Sequence, residues 1–122
     1  TIEPITGPET IQGSTRMKAG TAQKMVLNMI STAVMTKLGK VYQNYMVDVV
    51  ASNEKLFDRA QRMIVQITGE SKENAASLLE AANGEVKTAI VMIKLGIDAT
   101  VARALLQKSN GLLEETLKEP LL

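Results

Sequence analysis

Residues 71–84 read SKENAASLLEAANG, and residues 98–111 read DATVARALLQKSNG. At an offset of 27 residues the two share a capping residue first, alanine fifth, Leu-Leu eighth and ninth, and Asn-Gly last. The matched pairs are Ala75 with Ala102, Leu78 with Leu105, Leu79 with Leu106, Asn83 with Asn110 and Gly84 with Gly111. Serine or aspartate ahead of an apolar run accepts a bond from a free N–H of a helix's first turn, and asparagine and glycine tolerate the left-handed conformation that ends one. Each copy therefore predicts a capped helix with a sharp stop. A second apolar helical pattern follows each, first Val86, Ala89, Ile90 and Ile93, then Leu113 and Leu117 before Pro120. Two copies are too few for a solenoid. The expectation is a compact bundle of four short helices from about Ser71 to Lys118.

Upstream, Ser52 or Asn53 is placed to cap a further helix, in which Leu56, Phe57, Ala60, Met63, Ile64 and Ile67 form one stripe and Gly69 supplies the stop. Lys55, Arg59 and Arg62 fall mostly on its other face, which reads as a solvated surface rather than a phosphate site. Residues 41–53 match neither the helical nor the strand period and read as an extended connection lying against protein. Before them a long helix is expected from about Ser14 to Leu38, about 36 Å long. Ala22, Met25, Val26, Met29, Ile30, Ala33, Val34 and Leu38 recur along one of its faces, and Gly39 ends it. An exposed apolar stripe of that size is costly, so it predicts a cover: a sheet, the C-terminal helices or a second copy of the chain. Thr1 to Thr6 has weak strand character, and Pro4 restricts it to an edge or a strand end.

Composition removes several functions. Aromatics make up 2% of the chain, and Tyr42, Tyr45 and Phe57 are too few to stack a run of nucleotide bases. Net charge is +1, divided as +2 over residues 1–50 and −1 over residues 51–122, so neither part is a polyelectrolyte binder and no nucleic-acid partner is expected. With no cysteine there is no disulfide and no thiolate nucleophile, and with no histidine the commonest metal ligand and general base are missing. No metal site is expected, and any acid–base chemistry falls to carboxylates or lysines. No apolar run is long enough to span a bilayer, and no membrane partner is expected. The chain starts at Thr1 rather than methionine, which points to processing or truncation.

Polar chemistry concentrates in residues 7–24, GPETIQGSTRMKAGTAQK. A helix start offers free backbone N–H groups and a partial positive charge. Ser14 and Thr15 add hydroxyl donors, and Gly13 lets a ligand approach the backbone. Arg16 can grip phosphate with a planar fork, while Lys18 adds a point charge. The set suits a sugar-phosphate or nucleotide-phosphate contact, and it also suits an ordinary capped helix with surface cations. Glu9 is the nearest carboxylate, placed to orient a sugar hydroxyl, pair with Arg16 or face water. Met17, Met25 and Met29 fall on or beside the apolar stripe and read as packing residues.

Residues 7–24 resemble the signature of the N-acetylmuramic acid 6-phosphate etherase and glucokinase regulatory protein family, whose members use sugar isomerase (SIS) domains. Residues 25–56, MVLNMISTAVMTKLGKVYQNYMVDVVASNEKL, resemble the etherase branch. The resemblance implies a cytoplasmic carbon–oxygen lyase of amino-sugar metabolism and peptidoglycan recycling. It would cleave the D-lactyl ether of N-acetylmuramic acid 6-phosphate to N-acetylglucosamine 6-phosphate and D-lactate, by elimination and then hydration, with no cofactor and as a homodimer. It implies that Ser14, Thr15, Arg16 and Lys18 line the sugar-phosphate pocket. The acid–base glutamates of the family lie upstream, so no catalytic residue is expected here, and Glu3, Glu9 and Glu54 do not inherit that role.

The fold expected is all-α for the residues present, with one long helix and a C-terminal bundle of short helices. Residues 78–93, LLEAANGEVKTAIVMI, resemble a ubiquitin-associated domain, expected to pack against the sugar domain or a second subunit rather than to bind ubiquitin. Residues 1–51 would be the end of a truncated α/β SIS domain, with Thr1 to Ile5 its final strand, and residues 52–122 a helical domain. Two other readings stay open: a sugar-phosphate sensor like the regulatory-protein branch, and a helical interaction module.

Overall fold

Asn53 settles where the helical part begins, because its Oδ1 accepts from the Leu56 N–H at 2.9 Å and leaves Ser52 outside the cap. The computed structural model describes residues 1–118; Pro120, expected as the final stop, lies outside the described residues. The elements are α1 (Ala19–Lys37), β1 (Val41–Tyr42), β2 (Tyr45–Met46), α2 (Glu54–Thr68), α3 (Lys72–Ala81), α4 (Val86–Leu95), α5 (Ala99–Lys108) and α6 (Leu113–Thr116). The all-α class holds, with one short antiparallel hairpin added. The chain forms two compact units that part between Met35 and Thr36.

In the first unit α1 starts at Ala19, later than the expected Ser14. Residues 16–18 form a turn instead, with the Gly20 N–H donating to Thr15 O at 2.8 Å. Residues 1–6 hold no strand, since no neighbouring strand is present to pair with them. No residue of α1 is buried. Met25, Met29, Ile30 and Val34 of the expected stripe are exposed, and so are Leu27 and Met35, which that stripe left out. The apolar surface therefore reaches farther around the helix than one face.

In the second unit the stripe of α2 behaves as its spacing demands: Ala60, Met63, Ile64 and Ile67 are buried, and Gly69 ends the helix at a φ of 80°. The Gln61 side chain, also buried, donates to Lys72 O at 2.8 Å and ties α2 to the start of α3.

The repeat is real in three dimensions. Ser71 Oγ accepts from the Asn74 N–H at 3.1 Å, and Asp98 Oδ1 accepts from the N–H groups of Thr100 and Val101 at 2.8 and 3.0 Å. Both helices close alike, with Gly84 N–H on Leu79 O at 2.9 Å and Gly111 N–H on Leu106 O at 2.7 Å. Asn83 and Asn110 take φ values of 55° and 52°, followed by Gly84 and Gly111 at 79° and 75°. The equivalence runs on into the following helices, where Val86 and Leu113, and Ala89 and Thr116, are all buried. Thr116 satisfies its hydroxyl by donating to Leu112 O at 3.0 Å. Ile64, Leu79, Val86, Ile90 and Val91 are wholly buried in the shared core, each adding roughly 1.5–3 kcal/mol of transfer free energy.

Residues 41–53, expected as an extended connection, join this core. Val41 pairs with Met46 and Tyr42 with Tyr45 across a turn in which Gln43 takes a φ of 54°. Val47 is fully buried. The Ala51 N–H then donates to Gly84 O at 2.9 Å, the Val86 N–H donates to Val49 O at 3.2 Å, and Val50 bridges Glu85. At the other end, a Cβ on Gly39 would stand 2.8 Å from Gly111 O. The connection thus runs from one Asn-Gly turn to the other.

Gly84→Ala would place its Cβ 3.0 Å from Ala51 O at a left-handed φ, whereas Gly69→Ala meets nothing within 4 Å. Gly69→Ala is expected to cost about 1–2 kcal/mol for backbone conformation alone. Gly84→Ala and Gly39→Ala should cost about 1–3 kcal/mol more, from backbone overpacking; equal losses for all three in denaturant titrations would contradict this docking. Ser109 occupies the repeat position of Ala82, with its Oγ buried and without a hydrogen-bond partner. Ser109→Ala should raise stability by about 1 kcal/mol, measured in the same titration.

Candidate functional site

Two glycines bend the chain ahead of α1. Gly7 and Gly13 take φ values of 68° and 84°, and a Cβ on either would meet nothing within 4 Å, so the need for glycine here is conformational rather than one of space. Between them lies Glu9. Its two carboxylate oxygens both accept from the Lys18 N–H at 3.1 Å, and Oε1 also accepts from the Ala19 N–H at 3.0 Å. Lys18 returns the tie, its Nζ donating to Pro8 O at 2.7 Å. The Ser14 N–H donates to Ile11 O at 3.1 Å within the loop so closed.

This changes the expected anion site. Ser14, Thr15 and Arg16 lie before α1, not in its first turn, and the N–H of Ala19, the first residue of the helix, is taken together with that of Lys18 by a carboxylate of the same chain. Glu9 has a role outside the three its position suggested: it caps α1 from ten residues upstream of Ala19. A capping residue is normally sought next to the helix start, which is why this one escaped the sequence reading. Thr15, Arg16 and Lys18 are exposed and Ser14 is half-buried.

The second unit holds a charged cluster that sequence spacing did not show. Lys87, with 13% of its side chain exposed, donates to Asp48 at 2.9 Å and to Gly111 O at 3.0 Å, and Lys40 bonds the same carboxylate. Burial pushes the Asp48 carboxyl up, but the hydrogen bonds and charges of Lys40 and Lys87 outweigh it and hold the group below its ordinary range. Nearby, Glu85 accepts from Thr88 Oγ1 at 2.7 Å and from Arg103 Nε at 2.8 Å, while Arg103 Nη2 donates to Ala82 O at 3.1 Å. Burial opposes ionisation of Glu85 as well, and the bonds from Thr88 and Arg103 reverse the effect. These groups border an open cleft of about 340 Å³ between residues 47–50, the start of α4 and α5. Their polar atoms face one another, and the arrangement ties the connection to both Asn-Gly turns. Among the described residues no three metal-ligating side chains come together, and no helix is long and apolar enough to cross a membrane.

Residues 43–84, from the hairpin turn through α2 and α3 to the first Asn-Gly turn, match the family described as the C-terminal lid domain of glucokinase regulatory protein. Over 116 residues, 95% of this chain, it is 59% identical to N-acetylmuramic acid 6-phosphate etherase 1 of Bacillus licheniformis. The chain is a relative of the N-acetylmuramic acid 6-phosphate etherases. It is also 56% identical over 96% of its length to the etherase of Enterobacter sp. (strain 638), and 52% identical over 97% to that of Clostridium botulinum. It spans 38% of the Bacillus protein and 39% of each of the other two.

Asp48 and Glu85 lie below their ordinary range in the folded chain, so the stability they contribute is complete above the unfolded value, near pH 4, and is lost as pH falls through the lower folded values. Thermal melts from pH 7 downward should show little change from this source until about pH 4 and then a steepening loss. Asp48→Asn should start less stable at neutral pH and lose less on acidification; an unchanged acid limb would refute this role for Asp48.

Proposed function

We propose that this chain is the C-terminal portion of a lyase that cleaves the D-lactyl ether of N-acetylmuramic acid 6-phosphate, giving N-acetylglucosamine 6-phosphate and D-lactate by elimination followed by hydration. The observation that carries this reading is the closed loop bearing Ser14, Thr15, Arg16 and Lys18, in a chain 59% identical over 116 residues to a protein of that name. In this reading the loop is one wall of the sugar-phosphate pocket. Arg16 supplies a planar pair of donors to phosphate oxygens, Ser14 and Thr15 supply hydroxyls, and Lys18 supplies charge. The phosphate is remote from the ether that breaks, so these contacts serve to hold the sugar in register for groups elsewhere.

The acid and base of the reaction belong to glutamates outside these 122 residues, and the residues here release no lactate alone. The reaction moves protons and breaks a carbon–oxygen bond without redox change, and this reading assigns it no cofactor. The apolar surface of α1, spread beyond one face, supports a helix packed on several sides in the whole protein, which we take to be a cytoplasmic homodimer with an SIS domain.

A second reading has its own support. The match of residues 43–84 to a regulatory-protein lid favours a sensor that binds the sugar phosphate without chemistry.

A hybrid in which this chain replaces the matching residues of the Bacillus relative separates the two. Lactate release from N-acetylmuramic acid 6-phosphate by the hybrid, a dimeric mass by light scattering and no release by the chain alone are expected. Arg16→Ala in the hybrid should lower kcat/KM about 10- to 100-fold through lost charge-assisted bonds. Tight sugar-phosphate binding without lactate release would favour the sensor, and lactate release by the chain alone would refute the division of labour.

A further inference from the structure

Residues 8–9 are clasped to residues 18–19 by bonds running in both directions. The carboxylate of Glu9 accepts from the backbone of Lys18 and Ala19 at 3.0–3.1 Å, and the ammonium of Lys18 donates to the carbonyl of Pro8 at 2.7 Å. The residues between them include every side chain of the phosphate set except Lys18. Glu9 is half-buried where most of its neighbours are exposed, so its carboxylate is turned into the loop rather than away from it. With that anion in place, the partial positive charge at the start of α1 is already met. A second anion at the same N–H groups would face a like charge and lose their bonds.

We propose that Glu9 is a positioning residue of the sugar-phosphate site, acting through Arg16, Ser14 and Thr15. It fixes the two ends of the loop so that the guanidinium and both hydroxyls are presented together, and it fills the helix end so that phosphate is received by side chains and not by the helix terminus. Lys18 shares in the clasp, with one of its three donors given to Pro8 and the others left for ligand. The inference rests on the sugar-phosphate reading above. It differs from a role in which the Glu9 carboxylate touches the sugar.

The test uses the hybrid described above, with N-acetylmuramic acid 6-phosphate and inorganic phosphate as probes. Glutamine keeps one acceptor oxygen at nearly the same place and alanine keeps none. Glu9→Ala should raise KM and weaken binding of both probes together by about tenfold, with kcat reduced no more than about threefold, and Glu9→Gln should recover affinity to within about threefold of the parent. Unchanged or tighter phosphate binding in Glu9→Ala would overturn the proposal. So would a fall in kcat with KM unmoved and no recovery in Glu9→Gln, which marks a carboxylate that contacts the reacting sugar. Should Glu9→Ala fail to fold, amide exchange decides: the Lys18 and Ala19 amides are expected to be protected in the parent and to exchange faster in Glu9→Gln, and unprotected amides in the parent would remove the clasp. Failure of the parent hybrid to release lactate would sink the lyase reading, while phosphate binding and amide exchange would still judge Glu9.

Discussion

The helical unit depends on two left-handed turns, Asn83-Gly84 and Asn110-Gly111. Each closes a helix by returning the glycine N–H to a carbonyl of the last turn, and each leaves its own glycine carbonyl free for another partner. Gly84 O receives the Ala51 N–H, and Gly111 O receives the Lys87 ammonium. A residue with a Cβ would strain the φ at both and collide with Ala51 at the first. Because the same turn ends one helix and anchors a neighbouring segment, the stops of α3 and α5 also set the path of residues 39–51.

Charge completes what the turns begin. Asp48 lies just after the fully buried Val47, where an unpaired carboxylate would be costly, and two lysines from different parts of the unit meet it. Lys87 spans from Asp48 to Gly111, so one ammonium links the connection to the second turn. Arg103 does the matching work near the first turn, reaching Ala82 O and Glu85 from α5. Both ion pairs are partly exposed and are worth little as isolated Coulomb terms. Their value lies in satisfying backbone carbonyls and fixing which segments meet.

Local rules made much of this legible. The caps at Asn53, Ser71 and Asp98, the stop at Gly69 and the paired helix ends follow from residue types whose partners lie within a few positions. The hairpin at Val41–Met46 was missed because strands of two residues leave no period to detect. Asp48 with Lys87, and Glu85 with Arg103, were missed because each pair joins segments far apart in sequence. At the candidate site the residue types were readable, but the start of α1 was not. A serine and a threonine before an apolar run look like a cap, and a carboxylate from a distant turn had already taken the N–H groups they would have served.

That capture bears on what these residues can do chemically. A general acid or base must exchange a proton near the working pH, and it must have a face free to do so. Five carboxylates here are engaged otherwise: Glu9 and Asp98 cap helices, Asp58 pairs with Arg62, Asp48 is held by two lysines, and Glu85 is held by Thr88 and Arg103. The last two are pinned in their ionised form, which makes them poor proton donors and weak bases at neutral pH. Without histidine or cysteine, that part falls to the remaining carboxylates and the lysines. The loop at Ser14–Lys18 differs from these carboxylates in kind: a guanidinium, two hydroxyls and an ammonium are groups that hold an anion rather than exchange a proton near neutral pH.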